Sequence, residues 1–284
     1  MQVADKGIVV LAQNNSLVNY VDQACVLAMS LKVTNPKAKI SIITNDHVPY
    51  EYRQLFDNVL PIPWNDDAAQ TEWKIENRWK IYHITPYDQT IVLDTDMLVL
   101  QDISSWWKFL EHYSLYFVSK VYTYREEIAD TSYYRKAFIS NRLPNLYSGF
   151  HYFEKNDVAL DFYQQLEQVM HNWQSFYEKF LEPESRPTWM SVDVCAAITA
   201  LILDCANDIT NARARFPSFT HMKPHCQGWS ERITNWQDKV GFYMSRDCSI
   251  KIGNYTQSGI LHYTEKDFLE RTPVVERYRN LLNV

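Results

Sequence analysis

The chain has 284 residues, 46% of them apolar, and a formal net charge of −6, enough to build one large α/β domain around a sizeable core. No basic run stands out, which argues against a nucleic-acid partner. Only six glycines occur, and none forms a dinucleotide loop or a P-loop. Five widely spaced cysteines without a CxxC pair fit a reduced chain without structural zinc. No basic stretch followed by an apolar one precedes Ile8, and no apolar run reaches membrane-spanning length, so a cytoplasmic protein without a transmembrane segment is expected. Aromatic residues reach 14%, and exposed Tyr and Trp suit a site that grips sugar rings or bases.

Residues 7–12 read as a first strand, through Ile8-Val9-Val10-Leu11. Val21, Ala24, Cys25, Ala28, Leu31 and Val33 repeat at helical spacing over 19–34, and Pro36 follows. A second strand is expected at 40–43, closed by Thr44-Asn45-Asp46, and a short third at 58–62. A helix over 71–84 stops before Pro86, and a buried strand follows at 91–94. This β-α-β-(β)-α-β order predicts a mostly parallel, doubly wound sheet. Ligands of such sheets bind beyond the carboxyl ends of the strands, where Asp46, Asp94 and Asp96 would sit.

Beyond residue 100 the pattern predicts a helix at 103–113 and a strand at 115–119. Residues 121–144, with Tyr122, Tyr124, Tyr133 and Tyr134, read as a long loop, either shaping a substrate side or packing on itself as a flap. A strand at 148–153, a helix at 158–173, a loop at 181–189 and a helix at 192–205 opened by Asp193 follow. Short strands are expected around 240–244 and 258–263, and a terminal helix over 273–283. There is no internal repeat.

The sharpest chemical signal is Asp94-Thr95-Asp96 at the end of Ile91-Val92-Leu93. Side chains i and i+2 of a strand point the same way, so the carboxylates can converge at the strand's exit. Two like charges there need a cation, and carboxylate oxygens suit Mg²⁺ or Mn²⁺, which usually bridge to substrate phosphates. The plain alternative is a strand-end turn with two solvated aspartates. An aspartyl-nucleophile phosphatase also uses Asp-x-Asp, but on its first strand, whereas 93 residues precede Asp94. His262, after the strand-like Gly-Ile-Leu, is a candidate third ligand. Arg78 could fork onto a phosphate, and Lys266 could neutralise a departing diphosphate. Each of these three has an ordinary surface or core role as its alternative.

Together these residues resemble the retaining, nucleotide-sugar-dependent glycosyltransferases of family 8, the group of glycogenin and the bacterial lipooligosaccharide galactosyltransferases. The resemblance covers about residues 7–120, then patches at 147–155, 189–203 and 259–268. It implies a single GT-A domain over 1–284, with a nucleotide-sugar half at 7–120 and an acceptor half at 121–284 carrying the last metal ligand. Asp94, Asp96 and His262 match the metal ligands, and Tyr20 matches a tyrosine that stacks on uracil. Arg78 matches a basic residue that touches the donor, Ser148-Gly149 a turn lining the donor sugar, and Asp193 an acidic residue near the sugar and the acceptor hydroxyl. The implied donor-binding set also takes in Ala12, Asn14, Asp46, Thr95 and Lys266, and the implied catalytic set is Asp193, Arg78 and Lys266. The chain departs from the family pattern in four ways: Tyr147 where Asn is usual, Val194 where Gln is usual, Glu265 where Gly is usual, and Lys266 early with no Pro after it.

The resemblance thus implies hexose transfer from a nucleotide diphosphate sugar, a UDP-sugar first of all, to a glycan, lipid-linked or protein acceptor. The transfer would need Mn²⁺ or Mg²⁺ and retain configuration. Asp193 is the one candidate for a covalent nucleophile, and front-face attack is the other route. A non-catalytic nucleotide-sugar-binding relative is a second reading. A nucleotidyltransferase is a third, disfavoured because Ala12-Gln13-Asn14-Asn15-Ser16 lacks glycine and lysine.

Overall fold

The computed structural model describes residues 5–230, 232–233 and 235–284. In chain order its first half runs β1 (Lys6–Leu11), α1 (Tyr20–Thr34), β2 (Ile40–Ile43), α2 (Tyr50–Arg53), β3 (Asn58–Leu60), α3 (Ile81–Ile84), β4 (Gln89–Leu93), β5 (Met97–Val99), α4 (Ser104–Leu110), β6 (Leu115–Val118), α5 (Lys136–Ser140) and β7 (Tyr147–Glu154). Then come α6 (Asp157–His171), α7 (Trp173–Phe180), α8 (Val192–Ile202), β8 (Phe219–His221), β9 (Phe242–Met244), β10 (Ile250–Ile252), β11 (Tyr255–Thr256), β12 (Ile260–His262), α9 (Phe268–Arg271) and α10 (Val274–Leu282).

The central sheet has the order β3-β2-β1-β4-β7-β6. The first four strands are mutually parallel, and β7 runs antiparallel to both β4 and β6. The expected mostly parallel α/β sheet is therefore present. Its strands alternate between two cores, as the period of two demands. Ile8 and Val10 of β1, with Ile91 and Leu93 of β4, face one core; Val9 and Val92 face the other. Both faces are covered, so these strands are apolar throughout, and each buried aliphatic side chain contributes about 1.5–3 kcal/mol. Two smaller sheets accompany it, β5-β12-β8 and β9-β10-β11. α1 starts at Asn19, whose side chain accepts from the Asp22 N–H, and is buried nearly all round because β5 and α10 cover what the central sheet does not.

Several expected boundaries move. The helix expected at 71–84 is reduced to a 3₁₀ turn at Arg78–Lys80 followed by α3. Lys74 sits at φ 56°, which a helix cannot continue through, and Asn77 is drawn out by hydrogen bonds to Gln13 and Asp66. The excursion at 121–144 contains α5, and Tyr122 makes β-bridges to Ile128 and Thr220. The helix expected at 158–173 ends at His171, and α7 begins at Trp173. The helix at 192–205 ends at Ile202, before Asp204 at φ 50°. Strands β8, β10 and β11 carry no pattern long enough to read, at two or three residues each. Among the described residues no helix is long and apolar enough to cross a membrane.

One buried polar group in the central sheet ties stability to pH. His151 of β7 lies under Phe117, ring centroids 4.9 Å apart, with Nδ1 2.8 Å from the Ser148 carbonyl and Nε2 2.8 Å from the Tyr163 hydroxyl. The carbonyl can only accept, so Nδ1 carries the proton and Nε2 accepts from Tyr163. Burial disfavours the imidazolium and lowers the His151 pKa to about 4. The unfolded chain binds this proton near pH 6.5 and the native chain does not, so His151 stabilises the fold above that pH and the contribution is lost as pH falls towards 4. Urea unfolding should show the native protein losing about 3 kcal/mol more than His151→Gln between pH 7 and pH 4; equal losses would remove His151 from the account.

Candidate active-site cleft

Strand register assembles the site. β4 ends at Leu93, and Asp94-Thr95-Asp96 form the turn that carries the chain into β5. The two carboxylates therefore converge through a turn at the junction of two sheets, and not through alternation within one strand as expected. β7 pairs Phe150 with Leu93, which sets Gly149 opposite Asp94, and the Asp94 N–H donates to the Gly149 carbonyl at 3.0 Å. A Cβ at Gly149 would stand 2.8 Å from Asp94 Oδ2 and 2.9 Å from Met97 Cε, so glycine is what lets Asp94 turn inward. β12 pairs His262 with Met97 on one side and with His221 on the other. His262 is thereby delivered next to Asp96.

One ligand atom each from Asp94, Asp96 and His262 lies within 4.8 Å of the others. This is a donor set of two carboxylates and one imidazole, which suits Mn²⁺ or Mg²⁺. Two basic side chains hold the carboxylates. Arg78, on the 3₁₀ turn, donates from Nη2 to Asp94 Oδ1. His262 Nε2 lies 2.9 Å from Asp96 Oδ1. Burial disfavours the charge on both members of this second pair. Their mutual attraction outweighs it, holding the Asp96 pKa below and the His262 pKa above their usual values. His262 Nδ1 sits 3.0 Å from Nδ1 of His221, which burial and the charge of His262 keep neutral, so His262 donates and His221 accepts.

Two adjoining cavities meet at this cluster. The larger, of about 620 Å³, is lined by Ser148, Gly149 and Asp193 together with Tyr134, Tyr147 and Trp189. The smaller, of about 240 Å³, is lined by Tyr20, Thr95 and Lys266 together with Gln13 and Gln23. Arg78, Asp94, Asp96, His262 and Trp73 line both. Thr95 donates to Gln23 at 3.0 Å, and the Lys266 ammonium lies 4.7 Å from the centre of the Trp73 ring. Ala12, Asn14 and Asp46 lie outside both linings. Ala12 is buried with its N–H on the Ile43 carbonyl, and the Asn14 N–H donates to Asp46 Oδ2 at 2.7 Å, so these residues brace the loop after β1.

The sequence matches no family model and no curated protein. Solved structures do match. The galactosyltransferase LgtC, solved with donor and acceptor sugar analogues, aligns over 98% of this chain and 95% of its own at 15% identity, with a TM-score of 0.50. The fold is that of LgtC. The glycosyltransferase GlyE of Streptococcus pneumoniae aligns over 74% of this chain at 15% identity and a TM-score of 0.44, and the chain spans 45% of the length of GlyE. Mouse xyloside xylosyltransferase 1 aligns over 73% of this chain and 84% of its own, at 8% identity and a TM-score of 0.43. Asp94 and Asp96 follow the carboxyl end of β4 in the central sheet, the edge at which ligands of parallel α/β sheets bind.

Sequence reading missed the residues that hold Asp193. Arg135, in the excursion after β6, donates from Nη1 to Asp193 Oδ2 at 2.7 Å and from Nη2 to the Leu146 carbonyl at 2.6 Å. Its guanidinium is sandwiched between the rings of Phe138 (3.6 Å) and Tyr147 (4.0 Å). Asp193 Oδ1 accepts from the Ser148 N–H at 2.8 Å and from its hydroxyl at 2.6 Å. Burial would raise the Asp193 pKa, but Arg135 and Ser148 outweigh it and hold the carboxylate ionised, below its usual range. Tyr147 is thus one of the two rings that cover Arg135. His221, Trp73 and Trp189 were also missed; a three-residue strand and isolated tryptophans carry no periodic signal. Asp193→Asn should strand the Arg135 charge and cost about 2–3 kcal/mol by chemical denaturation, since the guanidinium side is 3% exposed and the carboxylate side 25%. A loss below about 0.5 kcal/mol would mean the pair is solvated.

Proposed function

We propose that this protein is a metal-dependent glycosyltransferase that moves a hexose from a UDP-sugar to a glycan, lipid-linked or protein acceptor with retention of configuration. The observation that carries this reading is the convergence of Asp94, Asp96 and His262 at the meeting point of two cavities in a GT-A fold. The smaller cavity suits the nucleotide: Tyr20 offers a ring for uracil, and Gln13 and Gln23 offer amide groups. The larger suits the sugar and acceptor, with Ser148, Gly149 and Asp193 on its wall and Trp189, 60% exposed, at its rim.

Asp94, Asp96 and His262 would hold Mn²⁺ or Mg²⁺, which acts when bound as a Lewis acid on a leaving diphosphate. Arg78 and Lys266 add fixed positive charge on the same side. Asp193 suits the role of hydrogen-bond acceptor for a sugar hydroxyl better than that of nucleophile. Both its oxygens are already engaged, and a strongly stabilised carboxylate attacks poorly. This favours front-face transfer, in which the diphosphate oxygen takes the acceptor proton. All five cysteines are unpaired, which supports a reducing, cytoplasmic setting.

Asp96→Asn should abolish the Mn²⁺-dependent rise in melting temperature with UDP and lower UDP-sugar turnover by at least about 100-fold, the scale of a lost charge interaction of several kcal/mol. Full activity in that variant would end the metal assignment. Gly149→Ala should fold, because the clashing atoms are side-chain ends, yet it should displace Asp94 and weaken Mn²⁺ binding about tenfold by calorimetry. Unchanged Mn²⁺ affinity would show that Asp94 does not bind from this position.

A further inference from the structure

A second aromatic site lies between the loop after β3, the 3₁₀ turn at Arg78–Lys80 and α6, and it shares no lining residue with the cleft. One of its exposed members is Trp64, two-thirds accessible to solvent and held at φ 58°. That backbone state is uncommon for a bulky side chain and holds the indole at the surface. One face of Trp64 is stacked on Trp79, with ring centroids 5.5 Å apart and planes within 12°, and His83 meets both rings edge-on. Trp64 is thus held by two ring contacts and still leaves two-thirds of its surface to solvent.

The support beneath is rigid. Trp79 is buried, and its Nε1 donates to Asp67 at 3.2 Å. Asp67 also takes the Lys80 ammonium at 3.1 Å and approaches His171 at 3.4 Å. Gln164, Glu167 and His171 project from one side of α6, three and four residues apart, and close a cavity of about 460 Å³. Lys80 is buried and committed to Asp67 and the Asn65 carbonyl, so the site offers no free ammonium to a phosphate. What it offers is a flat aromatic face beside amide and carboxylate groups, from Asn65, Gln164 and Glu167. A pyranose has the matching pattern: an apolar C–H face to lie on the ring and a hydroxyl edge to bond to the rim.

We propose that Trp64 is the platform of a carbohydrate-binding subsite that takes one pyranose unit of a neutral glycan, separately from the Asp94–Asp96–His262 cleft. This subsite does not depend on the transferase reading. Labelled native protein, Trp64→Ala, Trp64→Phe and Asp96→Asn should be applied to a microarray of neutral oligosaccharides. The expected result is a glycan set bound by the native protein and by Asp96→Asn, kept by Trp64→Phe, and weakened about tenfold by Trp64→Ala, the scale of one lost stacking interaction. A melting temperature for Trp64→Ala close to native would exclude unfolding as the cause. Should that variant unfold, the double variant Gln164→Ala, Glu167→Ala, which leaves the stack intact, must show the same loss. No bound neutral glycan, undiminished binding without the platform or rim, or binding lost in Asp96→Asn alone would each overturn the proposal.

Discussion

Two carboxylates one residue apart at the end of a buried strand repel each other, and a fold that keeps them must supply compensating charge. Asp94 and Asp96 each have their own basic partner, Arg78 and His262. Neither is a neighbour in sequence; Arg78 comes from the turn before α3 and His262 from β12. The chain from 89 to 99 runs through both β4 and β5, so the Asp94–Asp96 turn is where the large sheet hands the chain to the small one. Register in both sheets is therefore a condition of the charge balance. A one-residue slip of β12 would turn His262 to the opposite face and leave Asp96 half-buried beside Asp94 without this partner.

The far wall of the cleft obeys the same logic with different parts. Asp193 opens α8, where its charge also complements the helix dipole, and it is braced by Ser148 from β7 and Arg135 from the excursion after β6. Arg135 in turn needs aromatic faces, which Phe138 and Tyr147 provide. Three separate segments are thus committed to the position of one carboxylate. Polar groups held this fully need little reorganisation when a ligand arrives, which is the condition for strong electrostatic action in a site shielded from water.

Much of this could be read from the chain. The apolar runs at Ile8–Leu11 and Ile91–Leu93 gave the central strands, because a strand covered on both faces has no polar alternation to hide it. The Asp-Thr-Asp end of the second run gave two of the three residues of the candidate metal cluster. What was misread has physical causes. The segment at 71–84 has helical composition, but Lys74 in the left-handed region and the bonds of Asn77 to Gln13 and Asp66 override it. Ala12 and Asp46 stand at strand exits, and their bonds there run to the Ile43 carbonyl and the Asn14 N–H. Arg135 and His221 were invisible because their meaning lies in partners 58 and 41 residues away.

The small sheet β5-β12-β8 shows how such short pieces stay in place. Three residues per strand give too few ladder bonds to fix a register unaided. Side chains from outside supply the rest: the Val99 N–H donates to the Ser30 hydroxyl at 2.9 Å, and the Gly259 N–H to the Gln101 side chain at 3.1 Å. Gly259 is held at φ 68°, and a Cβ there would fall 2.1 Å from the Ser218 carbonyl oxygen, so only glycine permits the approach of β12 to the end of the segment before β8. That approach sets where β12 begins, and His262 is three residues further on. The backbone freedom of one glycine and the hydroxyl of a buried serine on α1 thus determine whether an imidazole reaches Asp96 at all.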